Sequence, residues 1–251
     1  MKKEFPILEF DPTKEAMIEP RRKVDVKIPN RLVICFFREV IAKLLEKKEI
    51  LPLVTLSSET NDIIIYKFVD SECCLVQGIL GAPACAGFFE EFIALGVDKA
   101  ILCGGAGVLK KDVTFGRLVV VESAIRDEGF SYHYIEPSRE IQANQEVIKH
   151  ITNYLDNHHI DYIVGKTWTT DAFYRETKAK IALRKKEGCL IVEMEQAAMF
   201  AVSQFRNIQY GAIIYGGDDL TQDKWDPRAW RNRDDIRTSL CKLCKDIVLS
   251  L

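Results

Sequence analysis

The sequence predicts a single α/β domain, and three observations support this prediction. Apolar runs of strand length alternate with segments whose apolar residues have helical spacing. The chain of 251 residues is long enough for one large domain with a filled core, and no linker composition interrupts it. Turns rich in glycine or acidic residues follow several of the apolar runs. Because ligands of open α/β sheets bind beyond the carboxyl ends of the strands, these turns are candidate binding segments.

The predicted elements follow an N-terminal arm. Residues 1–30 are interrupted by four prolines, which predicts an extended arm lying on the body or on a neighbouring subunit, and residues 31–251 form the domain. Apolar runs predict strands at residues 32–37, 51–56, 63–69, 73–77, 99–103, 118–121, 162–164, 189–193 and 210–215. The runs at residues 63–69 and 73–77 are predicted to form a hairpin. Helices are predicted at residues 38–47, 88–95, 144–157, 176–187 and 195–206, and from 234 or 235 onward.

Charge and composition exclude several classes of partner. The net charge of −2 gives no basic field for nucleic acid or anionic lipid, so we expect a small-molecule partner. The sequence has neither a signal-peptide core nor an uncharged apolar run that could span a bilayer, so we expect a cytoplasmic protein without a membrane partner. Most of the eight cysteines lie in apolar runs, which indicates reduced core residues. Cys241 and Cys244 lack a second Cys or His pair at zinc spacing, so no metal is predicted.

Acidic and glycine-rich segments follow separate strands of the predicted sheet. Glu193 and Glu195 flank Met194 where a strand run changes into an Ala-rich buried helix, and Asp218 with Asp219 ends another strand. The turn at 104–107 lacks side-chain bulk, so its backbone can approach a ligand closely. A cationic and aromatic loop at 224–233 is typical of a lid.

The loop that follows the strand at 162–164 suits a planar base. Trp168 or Phe173 can stack on the base, and Thr169 or Thr170 can donate hydrogen bonds to it. Carboxylates from separate strand ends beside such a platform can cleave a glycosidic bond: one holds the sugar hydroxyls and faces the developing oxocarbenium charge, and the other delivers a proton to the leaving base.

Four motifs carry a resemblance to a known family: Gly104-Gly-Ala-Gly, Lys166-Thr-Trp-Thr-Thr-Asp-Ala-Phe-Tyr, Val192-Glu-Met-Glu-Gln-Ala-Ala and Gly217-Asp-Asp-Leu. From about residue 31 to the C-terminus the chain resembles the nucleoside phosphorylase superfamily, in particular its uridine phosphorylase and bacterial purine nucleoside phosphorylase branch. The resemblance implies a single-domain three-layer α/β/α fold with a mixed, partly barrel-like central sheet. It also implies a homo-oligomer, a dimer or hexamer, with no cofactor and with inorganic phosphate as co-substrate of a nucleoside.

The resemblance further implies residue roles. Asp218 would be the general acid near the base, Glu195 and Met194 would bind the ribose with support from Glu193, and Trp168 would stack on the base. The candidate nucleoside-binding residues are Glu193, Met194, Glu195, Trp168, Thr169, Gly104 and Gly105. The segment after Tyr174 does not reproduce the uracil-binding residues of uridine phosphorylases, so purine and pyrimidine stay open.

The side of the site that would hold the nucleophile departs from the family pattern. The phosphate-binding arginine aligns with Glu39 or, shifted by one, with Arg38, while Leu102 and Gly105 replace two further phosphate ligands. Phosphorolysis, which overall likeness favours, would need substitute cations, for which the candidates are Arg21, Arg22, Arg38 and Arg126. The alternative is hydrolysis, as in the methylthioadenosine/S-adenosylhomocysteine nucleosidases of the superfamily, whose water-activating glutamate corresponds to Glu39. A non-catalytic nucleoside-binding protein is a third hypothesis.

Overall fold

A computed structural model describes residues 2–20, 23–113, 115–229 and 233–251 of the chain. The strands are β1 Arg31–Cys35, β2 Ile50–Ser57, β3 Asp62–Phe68, β4 Cys74–Gln77, β5 Lys99–Val108, β6 Leu118–Asp127, β7 Glu140–Gln142, β8 Tyr162–Thr170, β9 Cys189–Glu193 and β10 Gln209–Asp219. The α-helices are α1 Arg38–Glu46, α2 Ala82–Ala94, α3 Gln145–Asn157, α4 Lys178–Lys186, α5 Gln196–Arg206 and α6 Asp234–Ser250. Short 3-10 turns lie at Pro6–Leu8, Phe130–His133 and Phe173–Arg175.

The strands form one mixed sheet of which a part closes on itself. β5 pairs with β10, β10 with β6, β6 with β8, β8 with β9, and β9 again with β5. From β5 the sheet continues through β1 and β4 to β3 and β2, and β7 pairs with β6. The prediction of a mixed, partly barrel-like sheet is therefore confirmed.

Helices cover both faces of the sheet, which confirms the three layers. Successive residues of a strand point to opposite faces. On β1, Ile34 lies near Cys85 and Phe92 of α2, whereas Cys35 lies near Cys241 of α6. On the first of these sides α2 packs on α5, and on the other α1 packs on α6. Among the described residues, no helix combines the length and apolar character needed to cross a membrane.

Four strands are longer than their apolar runs predicted. We expected strands to end at residues 103, 121, 164 and 215, but β5, β6, β8 and β10 continue to residues 108, 127, 170 and 219. The extra residues pair around the closed part of the sheet, as Gly107 does with Val192. The predicted glycine-rich and hydroxyl-rich turns are therefore strand segments, because backbone pairing compensates for their low apolar content.

The N-terminal arm lies on the body in its described part. It is extended apart from the 3-10 turn, and Lys14 Nζ donates to the carbonyl oxygen of Phe205 at 3.2 Å. Glu19 pairs with Arg206, which also pairs with Glu90 of α2, at 3.6 Å and 2.7 Å respectively. All eight cysteines are free and buried, as predicted.

Candidate functional site

Glu193 ends β9 and organises the start of α5. Its Oε2 accepts the backbone N–H groups of Glu195 at 2.6 Å and Gln196 at 2.7 Å. Its Oε1 accepts the hydroxyls of Thr169 at 2.6 Å and Thr167 at 3.1 Å. A carboxylate has about four acceptor positions, and these four donors occupy them. Glu193 therefore supports the neighbouring residues and has no acceptor position left for a ribose hydroxyl.

Glu195 occupies the N-cap position of α5, but its side chain points toward the start of α2. Its Oε1 accepts the N–H of Gly81 at 2.7 Å, and its Oε2 accepts the N–H of Met194 at 3.3 Å. Gly81 has a φ of 96°, a conformation that L side chains rarely adopt, so glycine is needed to aim this N–H. Burial, together with the charge of Glu193, raises the pKa of Glu195 to about 8. At neutral pH Glu195 is therefore mainly protonated, and burial raises the pKa of Glu193 as well.

The raised pKa of Glu195 predicts a pH-dependent cost to stability. Between the ordinary pKa of 4.5 and about 8, the unfolded chain has lost this proton and the folded chain still holds it. Stability should thus fall with rising pH, by up to about 1.4 kcal/mol per pH unit, and level off above pH 8. In Glu195→Gln the fall should be shallower, and what remains below about pH 7 should come from other carboxyls with a raised pKa, Glu176 among them. Urea unfolding of both proteins from pH 4 to pH 9 measures the difference.

A matched control separates this effect from a general loss of charge. Glu59 is an exposed carboxylate in the connection between β2 and β3. Glu59→Gln should follow the wild-type pH profile. Parallel profiles for wild type and Glu195→Gln would contradict the assignment of the proton to Glu195.

The positions of Trp168 and Thr169 correct two predictions. The Trp168 side chain is 0% exposed and packs in a small apolar cluster with Ile125 and Val192. Its indole N–H donates to Asp127 Oδ2 at 3.0 Å, so its ring cannot stack on a ligand. The hydroxyl of Thr169 donates to Glu193 and accepts the N–H of Ala197 at 3.0 Å, so it stabilises the start of α5 and is not available to a base.

Phe173 and Glu176, which follow β8, lie on the open side of this region. The Phe173 ring is 44% exposed and contacts Tyr174 with ring centroids 4.1 Å apart. Burial and the nearby charge of Asp218 raise the pKa of Glu176 to about 7. Phe173 was the second candidate for the aromatic platform, and of the two candidate rings it is the exposed one, because Trp168 lies in the core. Glu176 was missed as a site residue, since only its proximity to Asp218 marks it.

The two acids of β10 have different surroundings. Asp219 is buried, which by itself would raise its pKa, but hydrogen bonds from Thr221, whose N–H lies 2.6 Å away, and the ion pair with Arg228 lower that pKa. Asp218 is half-buried, and its Oδ2 accepts the indole N–H of Trp225 at 2.6 Å. Trp225 belongs to the predicted lid loop, of which residues 230–232 lie outside the described residues. The general-acid role of Asp218 stays a prediction.

The glycines of β5 bring the acidic strand ends together. A Cβ atom on Gly107 would lie 2.9 Å from a methyl of Val192 and 3.6 Å from Asp218 Oδ2. Gly107 of β5 therefore lies between Val192 of β9 and the Asp218 carboxylate. Gly104 is buried, whereas Gly105 is exposed and faces the ring of Tyr215, from which a Cβ atom would be 3.1 Å. Of these three glycines, Gly107 is the one whose contacts include an acid, whereas Gly104 lies next to Leu102 and Phe36.

The nucleophile side contains an ion pair that the sequence did not predict. Glu39, in the first turn of α1, pairs with Arg237 of α6, and the Arg237 Nε donates to the Tyr215 hydroxyl at 3.0 Å. Tyr215 is the residue that faces Gly105. The Phe36 ring lies between Gly78, the residue after β4, and Gly104 of β5. A Cβ atom would lie 2.4 Å from this ring at Gly78 and 3.9 Å from it at Gly104.

The structure describes two of the four predicted substitute cations, Arg38 and Arg126. Arg38 is exposed on α1, and the positions of Arg21 and Arg22 lie outside the described residues. Arg126 is buried and donates to Ser131 Oγ at 2.8 Å and to the carbonyl oxygens of Glu136 at 2.6 Å and Ile135 at 3.1 Å, so it holds a loop together. Arg237 is the buried cation on this side instead, and no local sequence signal on α6 distinguishes it.

Comparison with known proteins agrees with this architecture. Guanosine phosphorylase of Halorubrum lacusprofundi is 25% identical over 167 residues, which are 64% of this chain and 69% of that protein. The structure of uridine phosphorylase from Vibrio fischeri aligns with a TM-score of 0.74 and 21% identity over 90% of this chain and 94% of that one. The 5'-methylthioadenosine/S-adenosylhomocysteine nucleosidase of Helicobacter pylori aligns with a TM-score of 0.72 and 18% identity over 89% and 99%. Residues 30–250 match the family model described as the phosphorylase superfamily. The chain belongs to the phosphorylase superfamily.

Proposed function

We propose that this chain cleaves the N-glycosidic bond of a nucleoside by phosphorolysis, which yields the free base and ribose 1-phosphate. One observation carries the proposal: in a member of this superfamily, β5 pairs with both β9 and β10, so that Val192, three residues before Glu195, and Asp218 both lie against Gly107. One of these acids is buried and organised, and the other is half-buried under a tryptophan.

The two acids divide the chemistry. Glu195, oriented by Gly81 and by the Glu193 network, accepts hydrogen bonds from ribose hydroxyls in place of the backbone donors. As the glycosidic bond breaks, positive charge develops on the sugar, and the two glutamates on that side stabilise it electrostatically. Asp218 donates a proton to the departing base, which leaves more readily as a neutral molecule.

The base is held by Phe173 and Glu176. Ring stacking on an exposed phenylalanine adds about 0.5–1.5 kcal/mol to binding. Glu176, with its pKa near neutrality, can donate or accept a hydrogen bond at the edge of the base.

Phe173→Ala is expected to raise KM for the nucleoside by about 2–10-fold, since the stacking free energy is lost. Tyr174→Ala, which removes the more exposed neighbouring ring, is the matched control and should change KM less. Thermal unfolding of both variants should stay near that of the wild type. A KM unchanged in Phe173→Ala would remove this ring from the site.

Two of the three named relatives are phosphorylases, which supports phosphate as the nucleophile, and Arg237 is the cation that would bind it. A phosphate oxygen would replace the Glu39 carboxylate as the partner of the guanidinium, in a charge-assisted hydrogen bond. A second candidate is hydrolysis, and the Glu39–Arg237 pair also favours it: a carboxylate that an arginine holds in position can take a proton from water.

The test is a panel of purine and pyrimidine nucleosides, incubated with the purified chain with and without phosphate. We expect base release that depends on phosphate, with ribose 1-phosphate as the second product. Base release that is unchanged without phosphate, with free ribose as product, would replace phosphorolysis by hydrolysis. Binding of nucleosides without any base release would support the non-catalytic hypothesis.

We further propose a cytoplasmic homo-oligomer, a dimer or hexamer, in which residues 1–30 act as an arm separate from the domain at 31–251. Met17 and Ile18 of this arm are almost entirely exposed, which is unusual for two successive large apolar side chains and supports contact with a neighbouring subunit. Light scattering of the full chain and of a variant with both residues changed to serine measures this contribution.

A further inference from the structure

Four of the eight cysteines converge between the sheet and α6. Cys35 and Cys103 are register partners on the adjacent parallel strands β1 and β5, so their side chains point to the same face. α6 packs on both strands. It carries Cys241 and Cys244, which are three residues apart and therefore lie on one side of the helix.

The sulfur atoms are as close as a metal site requires. The Sγ atoms of Cys35, Cys103 and Cys241 all lie within 4.8 Å of one another, and the Cys244 thiol is within hydrogen-bonding reach of Cys103. Tetrahedral zinc, with Zn–S bonds of about 2.3 Å, separates its sulfur ligands by about 3.8 Å. The spacings among Cys35, Cys103 and Cys241 thus exceed this value by no more than about 1 Å, and a side-chain rotation of Cys244 would supply the fourth ligand.

Other buried cysteines have different neighbours. The Cys189 thiol donates to the carbonyl oxygen of Thr167 at 3.6 Å, and the Cys85 thiol lies 3.7 Å from the Met199 sulfur. In the cluster, by contrast, thiols contact one another, and sulfur is the only ligand type that the cluster offers. A set composed of sulfur selects thiophilic ions such as Zn²⁺ over Mg²⁺ or Ca²⁺.

We propose that Cys35, Cys103, Cys241 and Cys244 bind one Zn²⁺ ion that joins α6 to β1 and β5. Each thiol releases its proton on binding, and four thiolates leave the site with a net negative charge. The ammonium groups of Lys242 and Lys245, which act electrostatically on Cys241, reduce the cost of that charge. The ion would fix the helix that carries Arg237, one turn before Cys241. The proposal does not depend on the identity of the reaction.

The sequence does not reveal this ligand set, because only two of its four cysteines, Cys241 and Cys244, are close together along the chain. The C-x-x-C of α6 has no second pair at the spacing of a zinc finger, and the other two ligands come from strands that are separated along the chain by β2, β3, β4 and α2. Parallel pairing brings those two cysteines together, and pairing register cannot be obtained from ligand spacing.

The test begins with the unmodified chain, purified under reducing conditions and analysed by elemental mass spectrometry. About one zinc per chain is expected. Cys103→Ser and Cys241→Ser should each lose the bound zinc, whereas Cys189→Ser, a buried cysteine outside the cluster, should retain it. A zinc chelator should lower the thermal unfolding temperature of the wild type and leave that of a Cys103→Ala/Cys241→Ala double variant unchanged.

A spectroscopic measurement keeps the proposal testable if the variants fail to fold. Wild type refolded with Co²⁺ in place of zinc should develop thiolate-to-cobalt charge-transfer absorption and the strong visible bands of tetrahedral cobalt. Zinc far below one per chain together with no such absorption would overturn the proposal. A disulfide between any two of the four cysteines in the protein as purified would overturn it as well.

Discussion

Replacing Asp218 with asparagine is expected to lower kcat for nucleoside cleavage by about 10²–10⁴, the usual contribution of a general acid. The amide has no acidic proton to give to the leaving base. Its oxygen can still accept the indole N–H of Trp225, which lies 2.6 Å from Asp218 Oδ2, so the loop should keep its position. Steady-state kinetics with the best nucleoside of the panel, together with thermal unfolding, measures both quantities.

Two controls give this result its meaning. Asp219→Asn removes a buried charge that pairs with the half-buried Arg228, so it should lower the unfolding temperature, whereas Asp218→Asn should leave it nearly unchanged. A nitrophenyl riboside, whose leaving group departs without a proton, should be cleaved by Asp218→Asn at close to the wild-type rate. Equal losses on the nucleoside and on the nitrophenyl riboside would show that Asp218 does not protonate the base.

The acidic residues of the candidate site could be predicted from the sequence, because they directly follow predicted strands. Glu193, Glu195 and Asp218 follow apolar strand runs, and the strands of such a sheet deliver their carboxyl ends to one region. The buried helix after Glu195 was predicted because alanine-rich apolar spacing allows little else. The closed part of the sheet came from the family resemblance, since pairing between distant strands leaves no mark in local periodicity.

The predictions for Trp168 and Thr169 were wrong because the sequence did not show that both residues belong to a paired strand. Trp168 and Thr169 lie at the end of β8, inside a strand that we expected to stop at residue 164. In a loop both side chains would be exposed, but in the paired strand one enters an apolar cluster and the other caps α5. Arg237 was missed for a different reason: its contact with Glu39 joins the two ends of the domain, and only the packing of α6 on α1 creates it.

Arg237→Gln and Glu39→Gln are expected to change KM for phosphate in opposite directions. Loss of the guanidinium removes a charge-assisted hydrogen bond worth about 1.5–3 kcal/mol, so KM for phosphate should rise by about 10–100-fold. Loss of the Glu39 carboxylate removes both a competitor for the guanidinium and a negative charge next to the anion, so KM should fall. The glutamine oxygen at position 39 can still accept from Arg237, which limits structural disturbance. Initial rates at varied phosphate with saturating nucleoside give both values.

The same two variants distinguish the nucleophiles by the sign of their effects. If water attacks, Glu39 is the base that activates it and Arg237 holds that base in position, so both variants should lower turnover, and phosphate should have no effect. If phosphate attacks, the Glu39 variant should be at least as active as the wild type when phosphate is limiting. In hydrolysis the Glu39–Arg237 pair would act as a general base with its counter-charge, and in phosphorolysis phosphate would displace Glu39 from Arg237. The response of Glu39→Gln therefore decides between hydrolysis and phosphorolysis.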